Sequence, residues 1–207
     1  MSASLALHAV RLPRGSLGEM SFEFGTGVHV ITGPNGIGKT SLLLAIAGSL
    51  PLVSGAIRLD GQPLDHDAAQ VVLAPNAPPA IPWIRAGLLL DFIVSLYPGT
   101  RCDPQAAADI IARLGLASCL DATLGTLSAG MARKLLLAAA LIAAPPVMLF
   151  DEPTNDIDAA SSAAFVEFVR AVALQRVVVI TTHHAGDLMS LNPRVLPIAE
   201  MGTPPNS

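Results

Sequence analysis

The sequence is poor in charge, and above all in lysine. Only 14% of its 207 residues are charged, the net charge is −4, and the two lysines are Lys39 and Lys134. Proteins that bind nucleic acid through its phosphates need clustered lysine and arginine, so we expect no nucleic-acid partner. The two cysteines, Cys102 and Cys119, lack metal-ligand spacing, which favours a reducing compartment.

The sequence also lacks a hydrophobic run long enough to cross a membrane, although 52% of its residues are hydrophobic. The longest run, residues 135–150, has 16 residues and contains Pro145 and Pro146, whereas a spanning helix needs roughly 20 residues. No basic stretch followed by a long apolar core opens the chain, so we expect no signal peptide. We therefore expect a globular protein with a large core or with surfaces that partners cover.

One of the two lysines lies in a glycine-rich segment. This segment reads Gly33, Pro34, Asn35, Gly36, Ile37, Gly38, Lys39 and Thr40, with Ser41 next. Such glycines let backbone N–H groups surround phosphate oxygens, while the lysine reaches the β- and γ-phosphates and the threonine hydroxyl binds Mg²⁺. A strand-like run at 28–32 precedes the segment and a leucine-rich helical run at 39–50 follows it, which is the context that a phosphate loop requires.

A second motif follows the short apolar strand predicted at 147–150. Asp151 and Glu152 come directly after that strand, and α/β sheets bind ligands at the carboxyl ends of their strands. There Asp151 is suited to hold Mg²⁺ through water, and Glu152 to polarise a water directed at a γ-phosphate. From these residues alone, a strand end with two solvated acids is an equally good interpretation.

Strands and helices alternate along the predicted chain. This order predicts an α/β fold with a mostly parallel sheet, short antiparallel strands near the N-terminus and a helical insertion. The predicted strands lie at 5–27 (several short ones), 28–32, 54–61, 70–74, 147–150 and 177–182, and the predicted helices at 39–50, 85–97, 104–114, from Ser128 onward, and at 159–174.

A third motif makes the sequence resemble a known family. Residues 127–131 read Leu-Ser-Ala-Gly-Met and are similar to the Leu-Ser-Gly-Gly-Gln signature of the ATP-binding cassette (ABC) ATPases. Residues 155–158 are similar to the D-loop of that family, and residues 181–183 to the segment that carries its switch histidine. The motifs occur in family order from Gly33 to His183. The signature variant looks like that of small export-type subunits, including the haem-exporter ATPase of cytochrome c maturation.

The resemblance implies a RecA-like P-loop core at 1–75 and 134–195, together one ABC ATPase domain with a helical subdomain at 77–133 that carries the signature. The sequence itself predicts an irregular tail over its last dozen residues, 196–207. ATP and Mg²⁺ are the implied cofactors. Two cassettes, identical or paralogous, would pack head to tail, with the glycine loop of one facing Ser128, Ala129 and Gly130 of the other. The implied roles are phosphate neutralisation by Lys39, Mg²⁺ binding by Thr40 and Asp151, general base catalysis by Glu152, γ-phosphate contact by His183 and communication between sites by Asp158.

Three features depart from the family or remain open. Asn76 falls where the family has a glutamine that touches Mg²⁺, so it contacts the metal directly, acts through water, or only transmits motion. Ala129 replaces a signature glycine. The apolar stretch at 84–96, between Trp83 and Tyr97, is either a buried helix or a docking surface for a hydrophobic partner.

The sequence as a whole favours the ATPase subunit of an ABC transporter. Such a subunit lies peripherally at the cytoplasmic face of the cell membrane and drives transport, here with export favoured, through a separate integral membrane permease. One alternative is a soluble, non-transport ABC ATPase that acts on ribosomes or DNA. The other is a catalytically weak regulatory cassette, which Asn76 and Ala129 keep open.

Overall fold

The structure, a computed structural model, describes residues 3–13, 17–66, 69–183 and 185–201. Within these ranges, nine strands form two sheets, and five α-helices pack around them. This α/β architecture confirms the fold class predicted from the sequence. Among the described residues, no helix combines the length and the apolarity needed to cross a bilayer.

The N-terminal part of the chain builds a four-stranded antiparallel sheet. Its strands are β1 (Leu5–Arg11), β2 (Met20–Phe24), β4 (Ser54–Leu59) and β5 (Gln62–Pro63), in the order β2-β1-β4-β5. Leu5 and Leu7 are buried on one face of β1 because alternate side chains of a strand point to the same side. The antiparallel subdomain predicted from the sequence is therefore present.

The second sheet has five strands, all parallel, and it organises the rest of the molecule. Its order is β6-β7-β8-β3-β9. The strands β7 and β8 are buried along their whole length, as expected for a parallel sheet covered on both faces. The five strands are β3 (Gly27–Thr32), β6 (Val71–Ala74), β7 (Val147–Asp151), β8 (Val177–Thr182) and β9 (Arg194–Pro197).

Polar residues set where several helices begin. Asp103, Ser128 and Asp158 are the N-cap residues of three helices, and each side chain accepts a hydrogen bond from a backbone N–H of the first turn. The predicted capping role of Ser128 is thus confirmed. The helices are α1 (Lys39–Ile46), α2 (Ala86–Ser95), α3 (Pro104–Arg113), α4 (Ala129–Ala143) and α5 (Ala159–Val172).

Two hydrophobic clusters lie on opposite faces of the parallel sheet. One joins this sheet to α2, α3, α4 and α5, and includes Phe150 and Phe165. The other joins it to α1 and the antiparallel sheet, and includes Phe24 and Leu42. The strands β7 and β8 contribute side chains to both clusters, which explains why they read as continuous hydrophobic runs.

The end of the described chain differs from the sequence prediction. Strand β9 continues to Pro197, and a 3₁₀ turn follows at Ile198–Glu200 with Ile198 fully buried. The prediction of irregular structure from residue 196 is therefore wrong for residues 196–200. A strand of four residues is too short to show a recognisable alternation of polar and apolar residues. Its final proline also argues against a strand, although an edge position tolerates a residue without an N–H. Residues 202–207 of the predicted tail lie outside the described residues, and the subdomain limits stay a prediction.

His29 on β3 generates a prediction about stability and pH. Its ring is buried, Nε2 forms a hydrogen bond of 2.8 Å with the Gly25 carbonyl oxygen, and Nδ1 has no hydrogen-bond partner among the described residues. Burial lowers the pKa of His29. The His29 ring therefore binds a proton more readily in the unfolded chain than in the folded chain. Acid then favours the unfolded chain, so the free energy of unfolding should fall as pH drops below about 6.5.

The measurement is chemical denaturation of wild type and His29→Gln between pH 7.5 and 5. We expect His29→Gln to show a shallower loss of stability with acid than wild type. The matched control is His8→Gln, since His8 is an exposed histidine on β1; it should leave the wild-type slope unchanged. Equal slopes in wild type and His29→Gln would contradict the prediction.

Candidate functional site

Three of the predicted motifs, namely the glycine segment, the acid pair and the segment with the switch histidine, meet at one edge of the parallel sheet. The strands β7, β8 and β3 are consecutive neighbours in that sheet. Their carboxyl ends lead to Asp151 and Glu152, to Thr181 through His183, and to the glycine segment, respectively. Parallel pairing therefore brings together residues that are up to 150 positions apart in the chain.

The glycine segment forms a loop with backbone that other residues adopt rarely. Gly36 and Gly38 have φ of 79° and 123°, conformations that a side chain would strain. Gly38 is the N-cap of α1, and no side chain of the described residues caps that helix. The first N–H groups of α1 are thus left for an outside acceptor, and the helix dipole adds positive potential there.

The Lys39 side chain is buried against this loop. Its Nζ donates hydrogen bonds to the carbonyl oxygens of Gly33 at 2.7 Å and Pro34 at 3.3 Å. The same Nζ lies 3.9 Å from Oε1 of Glu152. One ammonium group therefore links the start of the loop to the acidic strand end, and it provides the positive charge that phosphates require.

Asp151 is held by two hydroxyl groups. Thr40 Oγ1 donates to Oδ2 of Asp151 at 2.9 Å, and Thr181 Oγ1 donates to Oδ1 at 2.6 Å. The donor set of Thr40 and Asp151 consists of hard oxygen atoms, which are the ligands that Mg²⁺ prefers. These residues fit the metal that the sequence predicts.

Glu152 combines strained backbone with a histidine contact. Its φ is 49°, in the left-handed region that few non-glycine residues occupy. Its N–H donates to the Thr181 carbonyl oxygen at 3.0 Å, and its Oε2 lies 3.0 Å from Nδ1 of His183. Strain of this kind persists where the surroundings enforce it, typically at functional sites.

A cavity of about 200 Å³ lies between these groups. It is the part of the site that a phosphate chain would enter, because Lys39 and the glycine backbone line it. The lining residues are Asn35, Gly36, Gly38, Lys39, Thr40, Ser41, Asn76 and Glu152. Ile37 of the same loop instead packs against the second hydrophobic cluster.

The signature residues do not line this cavity. Ser128 and Ala129 lie at the start of α4, and Ser128 Oγ accepts from the N–H of Met131 at 3.2 Å. Gly130 packs so closely on residue 156 that a Cβ there would lie 2.3 Å from the Asp156 carbonyl oxygen. Within one chain, the structure therefore keeps the signature apart from the glycine loop.

Asp158 joins α5 to α4. Its carboxylate accepts from the N–H and the hydroxyl of Ser161, both at 2.8 Å, and from Nζ of Lys134 at 3.0 Å. These hydrogen bonds hold the pKa of Asp158 well below its usual range. The second lysine of the chain thus anchors the segment at 155–158 beside the signature helix.

Arg133 is a site residue that the sequence reasoning missed. It is buried on α4 and donates to the carbonyl oxygen of Glu152 at 2.8 Å, and to both the carbonyl and the side-chain oxygen of Asn76. The available signal was an arginine near the start of a helix whose other residues, apart from Lys134, are apolar or glycine. A guanidinium is buried only where hydrogen-bond acceptors satisfy it, so such an arginine indicates acceptors nearby.

The apolar stretch at 84–96 is buried on one side and exposed on the other. Ala86, Leu89 and Leu90 of α2 are buried in the first hydrophobic cluster. On the outer side of the same segment, an exposed apolar stripe consists of Trp83, Leu88, Phe92 and Leu96.

The sequence matches a family described as "ABC transporter" over residues 17–155. Among curated proteins, the chain is 37% identical over 155 residues to the cytochrome c biogenesis ATP-binding export protein CcmA of Cereibacter sphaeroides, covering 74% of this chain and 68% of that protein. It is 31% identical over 166 residues to the zinc transport system ATP-binding protein TroB of Treponema pallidum, covering 76% of this chain. That match spans only 62% of the TroB length.

Solved structures share the fold. A putative ABC transporter ATP-binding protein from Pyrococcus furiosus aligns with a TM-score of 0.77 and 22% identity, covering 97% of this chain and all of that chain. An ATP-binding subunit of an ABC transporter aligns with a TM-score of 0.81 and 18% identity, covering 94% of this chain and 86% of that chain.

The contact between Gly130 and residue 156 yields a prediction. Gly130→Ala should lower the free energy of unfolding by about 1–3 kcal/mol, because the added Cβ would overlap the Asp156 carbonyl oxygen and force the two segments apart. Chemical denaturation measures the effect. The matched control is Gly99→Ala, where a Cβ would meet no described atom within 4 Å. A Gly130→Ala protein as stable as the control would contradict the close packing.

Proposed function

Since the chain belongs to the ABC transporter family as one of its ATP-binding ATPase subunits, we propose that two cassettes hydrolyse ATP between them and thereby drive export through a separate membrane permease. The family assignment rests on the matched region 17–155 and on relatives above 30% identity. The dimer, the metal, the direction of transport and the permease belong to the proposal.

The observation that carries the proposal is the convergence of charges at one sheet edge. Asp151 is hydrogen-bonded to Thr40 and Glu152 to His183, and Lys39 lies 3.9 Å from the Glu152 carboxylate. A cation beside a glycine loop binds phosphate oxygens. Of the two carboxylates next to it, one is suited to bind a metal and the other to activate a water. If the two acids only ended a strand and faced solvent, neither acid would be buried, and no buried lysine would be needed beside them.

Each residue has a distinct role in this mechanism. Lys39 and the free N–H groups of α1 bind and orient the β- and γ-phosphates. Thr40 and Asp151 would hold Mg²⁺, which spreads the negative charge of the phosphate oxygens when bound. Glu152 accepts a proton from the attacking water, and its hydrogen bond with His183 orients the carboxylate.

A second cassette would complete the site from outside. Ser128 and the N-terminal N–H groups of α4 lie away from the cavity of their own chain. A helix N-terminus attracts anions through its free N–H groups and its dipole. We therefore assign Ser128, Ala129 and Gly130 of one cassette to the γ-phosphate that is bound at Lys39 of the other, and Asp158 to the segment that joins the two sites.

The role of Glu152 can be tested by removing its charge. Glu152→Gln should bind ATP as wild type does and lower kcat at least about 100-fold, because an amide cannot accept the proton of the attacking water. Phosphate release gives kcat, and titration with a fluorescent ATP analogue gives the affinity. If Glu152→Gln hydrolysed ATP at the wild-type rate, the assignment of the general base would be wrong.

The matched control is Glu167→Gln. Glu167 is an exposed glutamate on α5 that pairs with Arg113, away from the cavity, so its variant should keep the wild-type kcat. In the same preparations, light scattering should show that ATP converts the Glu152→Gln chain from monomer to dimer. A variant that binds ATP and remains monomeric would contradict the two-cassette arrangement.

The exposed apolar stripe supports a membrane permease as the partner. Leu88, Phe92 and Leu96 are spaced by four residues, so they lie on one side of α2, with Trp83 near its start. Contiguous exposed hydrophobic residues mark interaction surfaces. The resemblance implies that the permease docks near this region, which would hold the cassette at the cytoplasmic face of the membrane.

Polar substitutions on the stripe should separate docking from catalysis. Leu88→Ser combined with Phe92→Ser should keep the ATPase activity of the isolated chain and abolish its recovery with a multi-span protein purified in mild detergent. The matched control carries Val53→Ser and Leu174→Ser, which also alter exposed apolar side chains but lie outside the stripe. Loss of partner binding in both double variants, or in neither, would count against this docking surface.

A further inference from the structure

The helix that carries the signature holds a buried arginine close to the catalytic glutamate. Arg133 is only 7% exposed, and nine consecutive apolar residues, from Leu135 to Ala143, follow Lys134 on α4. A buried guanidinium is strongly unfavourable unless acceptors surround it. The acceptors that Arg133 contacts therefore indicate why an arginine is buried at this position.

The Arg133 guanidinium connects three segments of chain. Nη1 donates to the carbonyl oxygen of Glu152 at 2.8 Å. Nη2 donates to the carbonyl oxygen and to the side-chain Oδ1 of Asn76, and it lies 3.8 Å from the Asp156 carboxylate. One side chain thus joins the end of β6, the end of β7 and the segment that precedes α5.

The bond to Glu152 bears on its unusual backbone. The N–H of Glu152 is held by the Thr181 carbonyl oxygen, and its own carbonyl oxygen is held by Arg133. Both peptide groups of the residue are therefore anchored, which stabilises the left-handed conformation at φ 49°. The direction in which the carboxylate leaves the backbone, toward His183 and Lys39, depends on that conformation.

The bonds to Asn76 bear on the open question of the metal. Oδ1 is the acceptor atom of that amide, and here it accepts from Arg133. Asn76 also lines the cavity beside Lys39 and Glu152. The asparagine is therefore connected to Glu152 through a charged side chain, to which its own amide oxygen is hydrogen-bonded.

We propose that Arg133 is a positioning residue that links the Asn76 segment to the catalytic Glu152, so that displacement of one segment misaligns the other. This inference rests on the proposed ATP hydrolysis. Planar guanidinium is suited to such a link because its donors are fixed relative to one another, whereas an ammonium group is a single point charge. Asn76 is one methylene shorter than the glutamine of the family, and at this length its side-chain oxygen reaches the Arg133 guanidinium.

A role in positioning differs from a role in core stability in its kinetic signature. Arg133→Met keeps an unbranched, flexible side chain and removes every donor. We therefore expect kcat to fall about 10- to 100-fold, as for displacement of a catalytic group by about 1 Å. Because Arg133 does not line the cavity, KM for ATP should stay near its wild-type value. Arg133→Lys keeps the positive charge and should also lower kcat, because a single ammonium group cannot donate to Glu152 and Asn76 in the way that the planar guanidinium does.

Control variants separate this effect from a general one. Arg113→Met makes the same substitution at an exposed arginine of α3 that pairs with Glu167, and it should leave kcat and KM unchanged. Asn76→Ala should lower kcat in the wild-type chain and cause no further loss in the Arg133→Met chain, because coupled residues are not additive. Wild-type kcat in Arg133→Met, or additive losses in the double variant, would overturn the proposal.

Amide hydrogen exchange tests the link without turnover. In the nucleotide-free chain, Asn76→Ala should speed exchange at residues 150–156, although the substitution is on another strand end, and it should add nothing when Arg133 is Met. Unchanged exchange at 150–156 in Asn76→Ala overturns the link, and that variant suffices if Arg133→Met fails to fold. If wild type hydrolysed no ATP, the proposed function would fail, while the exchange result would still decide whether Arg133 joins the two segments.

Discussion

The rest of the site depends on the pair of hydrogen bonds that the Asp151 carboxylate accepts. Its two oxygens accept from Thr40, at the start of α1, and from Thr181, at the end of β8. The glycine loop, the acidic strand end and the strand before His183 are thereby held in one arrangement. Because the group is buried, a position without these two donors would leave a charged carboxylate unsatisfied, so the fold must supply both.

The hydrophobic composition of the chain follows from the same arrangement. Strands β7 and β8 are covered on both faces, and α4 is buried along nearly its whole length. Polar side chains are thus concentrated where the strands end, at the edge that carries Lys39, Asp151 and Glu152. Lys39 is buried at this edge and pairs with Glu152. The other lysine, Lys134, instead pairs with Asp158 at the start of α5.

Sequence motifs predicted the parts of the site whose chemistry is local. A glycine loop between a strand and a helix, an acid pair after a buried strand, and Ser128 as a helix N-cap each depend on neighbours in the chain, and the structure places each in the expected element. Arg133 was missed because its partners, Glu152 and Asn76, lie 19 and 57 positions away. Strand β9 was missed because pairing with β3, rather than its own pattern, makes it a strand.

The amino-acid sequence by itself determined the order of the motifs, the alternation of strands and helices, and which residue types are present for phosphate and metal chemistry. These are properties of short segments, in which propensity and periodicity act directly. Only the tertiary structure decided that Thr40 meets Asp151 across 111 positions, that Asn76 gives its amide oxygen to Arg133, and that the signature stays apart from the cavity of its own chain. Such contacts depend on strand order and helix packing, and no local pattern encodes the distance between two segments that fold against a third.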